Sequence, residues 1–302
     1  MPRANRAIEL LRQDQPIFAA NPPALTREAG LTAADTRADF FIVDFEHHPF
    51  DMAGLRAFMR GLVDGGPTRS GHRTPPVVAT LPVLGTSAEA VRANTWQINH
   101  LLAAGVHGLL LCHAEDPAAV AAFVSATRYQ FNGQGTEGLD EGRRGGGGQG
   151  YAAEIWGLPV TEYLAKADPW PLNPAGELLL GLKVENKRAL ANRAALLAVP
   201  GIAFAEWGPG DMGMSLAEQY IGPDYQADPD FAHDPPYGPT MQEAQRSIFE
   251  ACRESGVIFY STMRSQDWRD LYALGARMSS STPRTSEFID ALRQLARRTM
   301  PV

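Results

Sequence analysis

Two carboxylates in this 302-residue chain each follow an apolar run of strand-like composition. Glu185 ends the run Leu178–Val184, and Asp211 closes Trp207-Gly208-Pro209-Gly210-Asp211, just beyond a second run at 202–205. Residues 186–199 carry helical apolar spacing and Gly201 follows as a stop, so the two strands are expected as parallel neighbours joined by a helix. Each strand then delivers one carboxylate at its C-terminal end. A hard divalent ion such as Mg2+ or Mn2+ takes one or two protein carboxylates and leaves positions for substrate and water, which is the chemistry this pair suits. The plainer alternative is two ordinary polar residues at strand ends. Lys183 shares strand parity with Glu185 and is expected beside it, the alternative being a side chain that extends to solvent. Around Gly208, Pro209 and Gly210 few side chains block a ligand, so backbone N–H groups there can receive a carboxylate.

The elements that must hold these residues follow a βα beat. Apolar runs at 16–21, 40–48, 76–82, 108–114, 178–184, 202–205, 256–262 and 276–281 read as eight strands. Helical spacing falls at 5–13, 52–63, 87–104, 116–127, 151–167, 186–199, 240–255, 265–274 and 285–298, with Asp116 as an N-cap. Serial βα alternation with right-handed crossovers closes into a (β/α)8 TIM barrel, expected here as a single domain over 1–302; a doubly wound open sheet is the alternative. The glycine-rich segment 132–150 reads as a loop, because its glycines lose too much backbone entropy in a regular element. It lacks the Gly-Lys-Ser/Thr ending of a phosphate loop. A polar insertion with several prolines occupies 218–239.

Composition narrows the class. Hydrophobic residues make up 44% and charged residues 20% of the chain, and no run is long enough to span a bilayer. A formal charge of −7 disfavours a nucleic-acid partner, which needs clustered basic surface. Cys112 and Cys252 are too few for a disulfide framework, so reduced thiols and a cytoplasmic location are expected.

In order and spacing, several of these segments resemble the HpcH/HpaI aldolase family, the metal-dependent pyruvate aldolases related to macrophomate synthase and citrate lyase beta subunits. They are DFEHHPFD (44–51), PVVATLP (76–82), the stretch 101–129, and the pattern VEN followed by GPGDM and SL across 184–216. The resemblance implies a TIM barrel, a lyase cleaving or forming a 2-oxo acid and an aldehyde, and a divalent ion (Mg2+ or Mn2+, with Co2+ admissible) held by Glu185 and Asp211. It implies that the loop at Gly208, Pro209 and Gly210 receives the substrate carboxylate, and that His47 is the catalytic base, acting through water on the metal; imidazole suits that role at neutral pH. Asp44 and Glu46 either orient the site or form a structural pair, and His113, where the family more often has an apolar residue, is either a simply hydrogen-bonded histidine or a further acid or base there. Arg128, with Arg143 or Arg144, resembles family positions around the mouth, where such residues either receive a second carboxylate or are solvated at the surface. Two departures stand out. The family's third-strand arginine aligns with Ala79, and the aspartate that pairs with its catalytic histidine aligns with Ala103. Lys183, where the family has glutamine, is expected to supply the missing positive charge. The departures also admit a lyase for another carboxylate or thioester, or a relative that binds without turnover. The family exchanges its last helix between neighbours in commonly hexameric assemblies, so a homo-oligomer is expected, and the apolar stripe Phe288, Ile289, Ala291, Leu292 and Leu295 fits that exchange.

Overall fold

The computed structural model describes residues 3–135, 137–216, 239–262, 270–280 and 286–298. The insertion at 218–239 and the first half of the expected helix at 265–274 lie outside those residues, except that residue 239 opens the helix Pro239–Ser255.

Nine strands form: β1 (Ile17–Ala20), β2 (Phe40–Val43), β3 (Val77–Leu84), β4 (Gly108–Cys112), β5 (Pro169–Trp170), β6 (Leu178–Val184), β7 (Phe204–Trp207), β8 (Ile258–Thr262) and β9 (Met278–Ser280). Every pairing between them is parallel. β1 pairs with both β2 and β9, and β4 reaches across to β6, so eight strands close a ring and the two-residue β5 hangs outside it on β6. The sheet is therefore a closed (β/α)8 barrel, and the open-sheet alternative is excluded. Among the described residues no helix is long and apolar enough to cross a membrane.

Alternation along the strands sorts side chains into two cores. Ala19, Ile42, Val78, Leu110, Leu179 and Phe204 point into the ring, and Ala7, Ile8 and Leu10 of the helix Arg6–Arg12 pack beneath them as a plug. Leu178, Leu180, Leu182 and Val184 point outward to the helix layer. On the inner face Gly181 has no side chain, and a Cβ there would meet the Phe204 ring at 2.3 Å. Phe204 thus fills the centre of the ring as a floor, and Lys183, next inward on β6, stands above it.

The plug is fastened by Asn5, fully buried. It donates to the backbone oxygens of His107 (3.1 Å) and Glu177 (3.0 Å), while its Oδ1 accepts from the N–H groups of Ala7 and Ile8. A second fastening gathers three arginines on Asp39, also fully buried: Arg293 at 3.0 Å, Arg6 at 3.8 Å, and Arg298 through both oxygens. Burial alone would raise the Asp39 pKa, but Arg298 and Arg293 outweigh it and hold the carboxyl below its ordinary range.

Two expectations are corrected. The helical run at 87–104 is two helices, Ala88–Ala93 and Thr95–Ala103, broken at Asn94. That at 151–167 is also two, Gln149–Trp156 and Val160–Lys166, because Gly157 takes φ +69° and Pro159 follows. The last helix, Ser286–Leu295, docks on its own barrel: Ile289 and Leu292 are buried within the chain and Arg293 reaches Asp39. Ala291 of the expected stripe is exposed, and the side chains of Phe288 and Leu295 lie outside the described residues.

His107, just before β4, is buried with its ring stacked on Trp156 (5.2 Å between centroids, 9° between planes) and its Nδ1 accepting from the Val77 N–H at 3.2 Å. Burial, with a smaller contribution from His72, lowers its pKa to about 3. The unfolded chain therefore binds this proton first as pH falls. The stabilisation is complete above pH 6.5 and is lost progressively below it, by about 2 kcal/mol at pH 5. Urea unfolding of His107→Asn, whose amide oxygen can take the place of Nδ1, should show a loss between pH 7 and pH 5 that is smaller than wild type by about that 2 kcal/mol. Equal slopes would show that His107 is not the acid-labile group.

Arg128 caps the helix Pro117–Thr127, which starts beside the C-terminal end of β4 and so carries Arg128 to the opposite end of the barrel. There its Nε and Nη2 donate to Asp168 at 2.8 and 3.0 Å, with both side chains buried, and Nη2 also reaches the Gln134 carbonyl at 2.7 Å. Arg128→Met leaves the Asp168 charge uncompensated and should cost about 3 to 5 kcal/mol, with Asp168→Asn in the same chain recovering part of it. An unfolding free energy equal to wild type would show that the pair is not holding these segments.

Candidate functional site

The C-terminal ends of β2, β4, β6 and β7 bring one constellation together. β6 delivers Lys183 and then Glu185, and β7 delivers Glu206 directly opposite Lys183 in register. The turn after β2 supplies Asp44, Glu46 and His47, and the residue after β4 is His113.

Glu185 has no exposed surface. Its Oε1 accepts from the His113 backbone N–H at 2.7 Å, and its Oε2 has no hydrogen-bond partner. Gly208 is pressed against it: a Cβ there would lie 2.6 Å from the Glu185 Cβ and 2.7 Å from Oε2, so only glycine allows β7 to end where it does. Burial pushes the Glu185 carboxyl above its ordinary pKa; Lys183 pulls it back in part, and repulsion from Glu46 adds to the rise.

Lys183 donates to Glu46 Oε2, and its Nζ lies 3.7 Å from Glu185 Oε2. Burial alone would lower the lysine pKa, but Glu206, Glu185 and Glu46 outweigh it and hold the ammonium firmly protonated. The sequence expectation that this side chain turns into the site is what the structure shows. A lysine held as ammonium has no lone pair with which to form a Schiff base.

Asp44 organises the turn. Its Oδ1 accepts from the N–H groups of Glu46 (2.9 Å) and His47 (3.2 Å) and from the Thr80 hydroxyl (3.1 Å), and its Oδ2 meets His47 Nδ1 at 2.9 Å. Burial would raise its pKa, but the hydrogen bonds from His47, backbone and ring, lower it. Thr80 Oγ1 also accepts from the Phe45 N–H at 2.7 Å, pinning the turn to β3.

Thr80, not Ala79, is the inward residue of β3. Ala79 packs with Val77 and Leu81 against the helix layer, so no side chain at 79 reaches the mouth in this strand register. Ala103 ends the helix leading toward the N-terminal end of β4, away from His47. The histidine is held instead by Asp44, three residues before it.

Asp211 sits in the first turn of a helix, Pro209–Leu216, where the sequence suggested a loop. The described residues form two groups of three or more close metal-ligating atoms, Asp44–Glu46–His47 and Glu46–His113–Glu185, and Asp211 is in neither. Arg128 is absent from the mouth, as its ion pair requires, and Arg144 is buried elsewhere, donating to the Tyr163 hydroxyl at 2.6 Å. Sequence reasoning missed Glu206, because the strand was ended at 205, and Cys112, whose inward parity beside Lys183 follows from the β4 register. Burial pushes the Cys112 thiol far up, so it stands there as a neutral group.

This is a mouth that fits a divalent cation. Two buried carboxylate oxygens, Glu46 Oε1 and Glu185 Oε2, have no donor, and three carboxylates (Glu46, Glu185, Glu206) face one ammonium.

No profile of a known protein family matches the chain. Over 193 residues it is 30% identical to a hydroxypyruvate/pyruvate aldolase from Roseobacter denitrificans, a match covering 63% of this chain and 61% of the relative, so it spans less than two thirds of that protein. A crystal structure of an HpcH/HpaI aldolase/citrate lyase family protein from Burkholderia cenocepacia superposes with a TM-score of 0.69 at 22% identity, over 97% of this chain and 98% of that one. A citrate lyase beta subunit from M. tuberculosis, complexed with oxaloacetate and magnesium, superposes with a TM-score of 0.54 at 16% identity, over 95% and 99%. The chain thus has the fold of the HpcH/HpaI aldolase structures along nearly its whole length, and over the part that matches its sequence is similar to that of the hydroxypyruvate/pyruvate aldolase.

Proposed function

We propose that the chain, as one barrel domain over residues 1–302, is a divalent-metal-dependent carbon–carbon lyase that cleaves or forms a 2-oxo acid through a pyruvate-type enolate, with an aldehyde as the second product or substrate. The observation that carries this is Glu185: a carboxylate with no exposed surface, lacking a donor on Oε2, at the C-terminal end of β6 with Gly208 pressed against it. The relatives' names support it, since one is an aldolase of hydroxypyruvate and pyruvate and another is a citrate lyase subunit with oxaloacetate and magnesium.

In this proposal Glu185 and Asp211 hold the ion, Mg2+ or Mn2+. When bound, the ion supplies Lewis acidity that stabilises negative charge on the keto oxygen. The helix that starts at Pro209 offers the Gly210 N–H, beside which a Cβ would meet nothing, to the substrate carboxylate. His47 moves the proton. Asp44 accepts from Nδ1–H and so leaves Nε2 as the basic nitrogen, which takes the hydroxyl proton as the carbon–carbon bond breaks and its electrons pass to the enolate. In the reverse direction the same nitrogen returns it to the alkoxide. Lys183 presents a fixed ammonium toward the charge that develops on the enolate.

Deuterium exchange at the pyruvate methyl carbon, followed by NMR with Mn2+ or Mg2+ present, tests the proposal. Lys183→Met should lower the exchange rate about tenfold or more with KM little changed, since the interaction lost belongs to the transition state. Glu185→Gln and Asp211→Asn should each weaken Mn2+ binding in calorimetry. A wild-type chain that never exchanges pyruvate with either metal would overturn the 2-oxo acid, and unchanged Mn2+ affinity in both carboxylate variants would overturn the ion site.

A further inference from the structure

His113 is the inward residue that the carboxylate pair does not account for. It follows β4 directly and takes φ +49°, a left-handed conformation that β-carbon sterics disfavour by about 1 to 2 kcal/mol outside glycine. Such strain persists where the surroundings hold it in place. Here it aims two groups of one residue at one acceptor: the backbone N–H donates to Glu185 Oε1 at 2.7 Å, and the ring Nε2 lies 3.7 Å from the same oxygen. The same Nε2 lies 3.5 Å from Glu46 Oε1, a buried oxygen with no hydrogen-bond partner.

The two carboxylates divide their oxygens between two neighbours. Oε2 of Glu46 and Oε2 of Glu185 face the Lys183 ammonium, whereas Oε1 of each faces His113 Nε2. Metal bonds of about 2.1 Å separate neighbouring donor atoms by about 3.0 Å in an octahedron and about 3.4 Å in a tetrahedron. The two nitrogen-to-oxygen distances here, 3.5 and 3.7 Å, exceed the tetrahedral value only slightly. All three donor atoms lie within 4.8 Å of one another. Charge favours a cation here, since the carboxylates of Glu46, Glu185 and Glu206 face a single ammonium.

We propose that Glu46, His113 and Glu185 form a mixed nitrogen–oxygen metal site, and that His113 tunes this protein toward a first-row transition ion such as Co2+ over Mg2+. Imidazole nitrogen binds such ions well and adds little for Mg2+, which prefers oxygen. The proposal rests on the ion site proposed above and specifies its ligands beyond Glu185 and Asp211. Lys183 then stands on the other side of the two carboxylates, donating to Glu46 Oε2 and 3.7 Å from Glu185 Oε2.

Pulsed EPR of the full chain loaded with Mn2+, together with Co2+ and Mg2+ affinities from calorimetry, tests it. Asparagine and glycine both adopt positive φ readily, so His113→Asn and His113→Gly relieve the backbone rather than burden it, and thermal melts at or above the wild-type midpoint confirm that both fold. Wild type should show nitrogen hyperfine coupling from one imidazole, absent in both variants. Co2+ affinity should fall about tenfold or more in each, with Mg2+ affinity changing much less. Glu46→Gln should weaken both ions. No imidazole coupling in wild type, or coupling that survives in His113→Asn and disappears in His47→Asn, would overturn the assignment, as would an unchanged ratio of Co2+ to Mg2+ affinity. Glu185→Gln separates the two claims. If it abolishes metal binding while the His113 variants behave as wild type, the nitrogen ligand alone is wrong; if it leaves binding intact, the carboxylate site and this inference both fall.

Discussion

Two buried carboxylates that face each other repel, and the mouth of this barrel is built around neutralising that repulsion. Glu46 comes from the turn after β2 and Glu185 from the end of β6, and Lys183 lies between them with its ammonium on Oε2 of each. Burial makes such charges costly unless they are paired, and Lys183 supplies the pairing charge. The arrangement in turn depends on register. Pairing Lys183 with Glu206 across β6 and β7 supplies a further carboxylate to hold the lysine charged, and a slip of one residue would turn all of these groups out to the helix layer.

The barrel keeps stability and chemistry at opposite ends. At the N-terminal ends of the strands polar groups serve to fasten segments: Asn5 holds the plug, Arg128 forks onto Asp168, and His107 is stacked and neutral. At the C-terminal ends carboxylate oxygens are left without donors, Glu46 Oε1 and Glu185 Oε2 among them. Those two oxygens lie where a ligand would complete them.

The strands of the ring were legible in the sequence because each is an apolar run bounded by polar or glycine residues, and the spacing of Glu185 and Asp211 followed from the βαβ unit between them. Parity along β6 was enough to turn Lys183 inward. What escaped depends on boundaries and direction. Ending β7 at 205 instead of 207 hid Glu206, since the motif Trp207-Gly208-Pro209-Gly210-Asp211 looks like loop from its first residue. Arg128 was placed at the mouth by alignment, whereas an 11-residue helix starting at the mouth must end at the far side. The vacancies at Ala79 and Ala103 also belong to faces of the fold and not to motifs: the first points to the helix layer and the second lies at the end of a helix that runs away from the site. His113 falls inside the strand-like run 108–114, whereas β4 ends at Cys112 and His113 follows it in a left-handed conformation.

The clamp on Asp39 joins segments far apart along the chain. Arg6 belongs to the first described helix, Asp39 precedes β2, and Arg293 and Arg298 belong to the last helix and the residues after it. During synthesis the chain emerges from the N-terminal side, so the plug and the first strands leave the ribosome long before Arg298 exists. Until it does, Asp39 lacks its strongest partner, and β1 has yet to gain β9 as a neighbour. The ring is therefore a structure that a nascent chain can rehearse but not lock. Its closure waits on residues translated 259 positions after Asp39, which makes the partly made barrel, with an unpaired strand edge, the form most in need of protection from other chains.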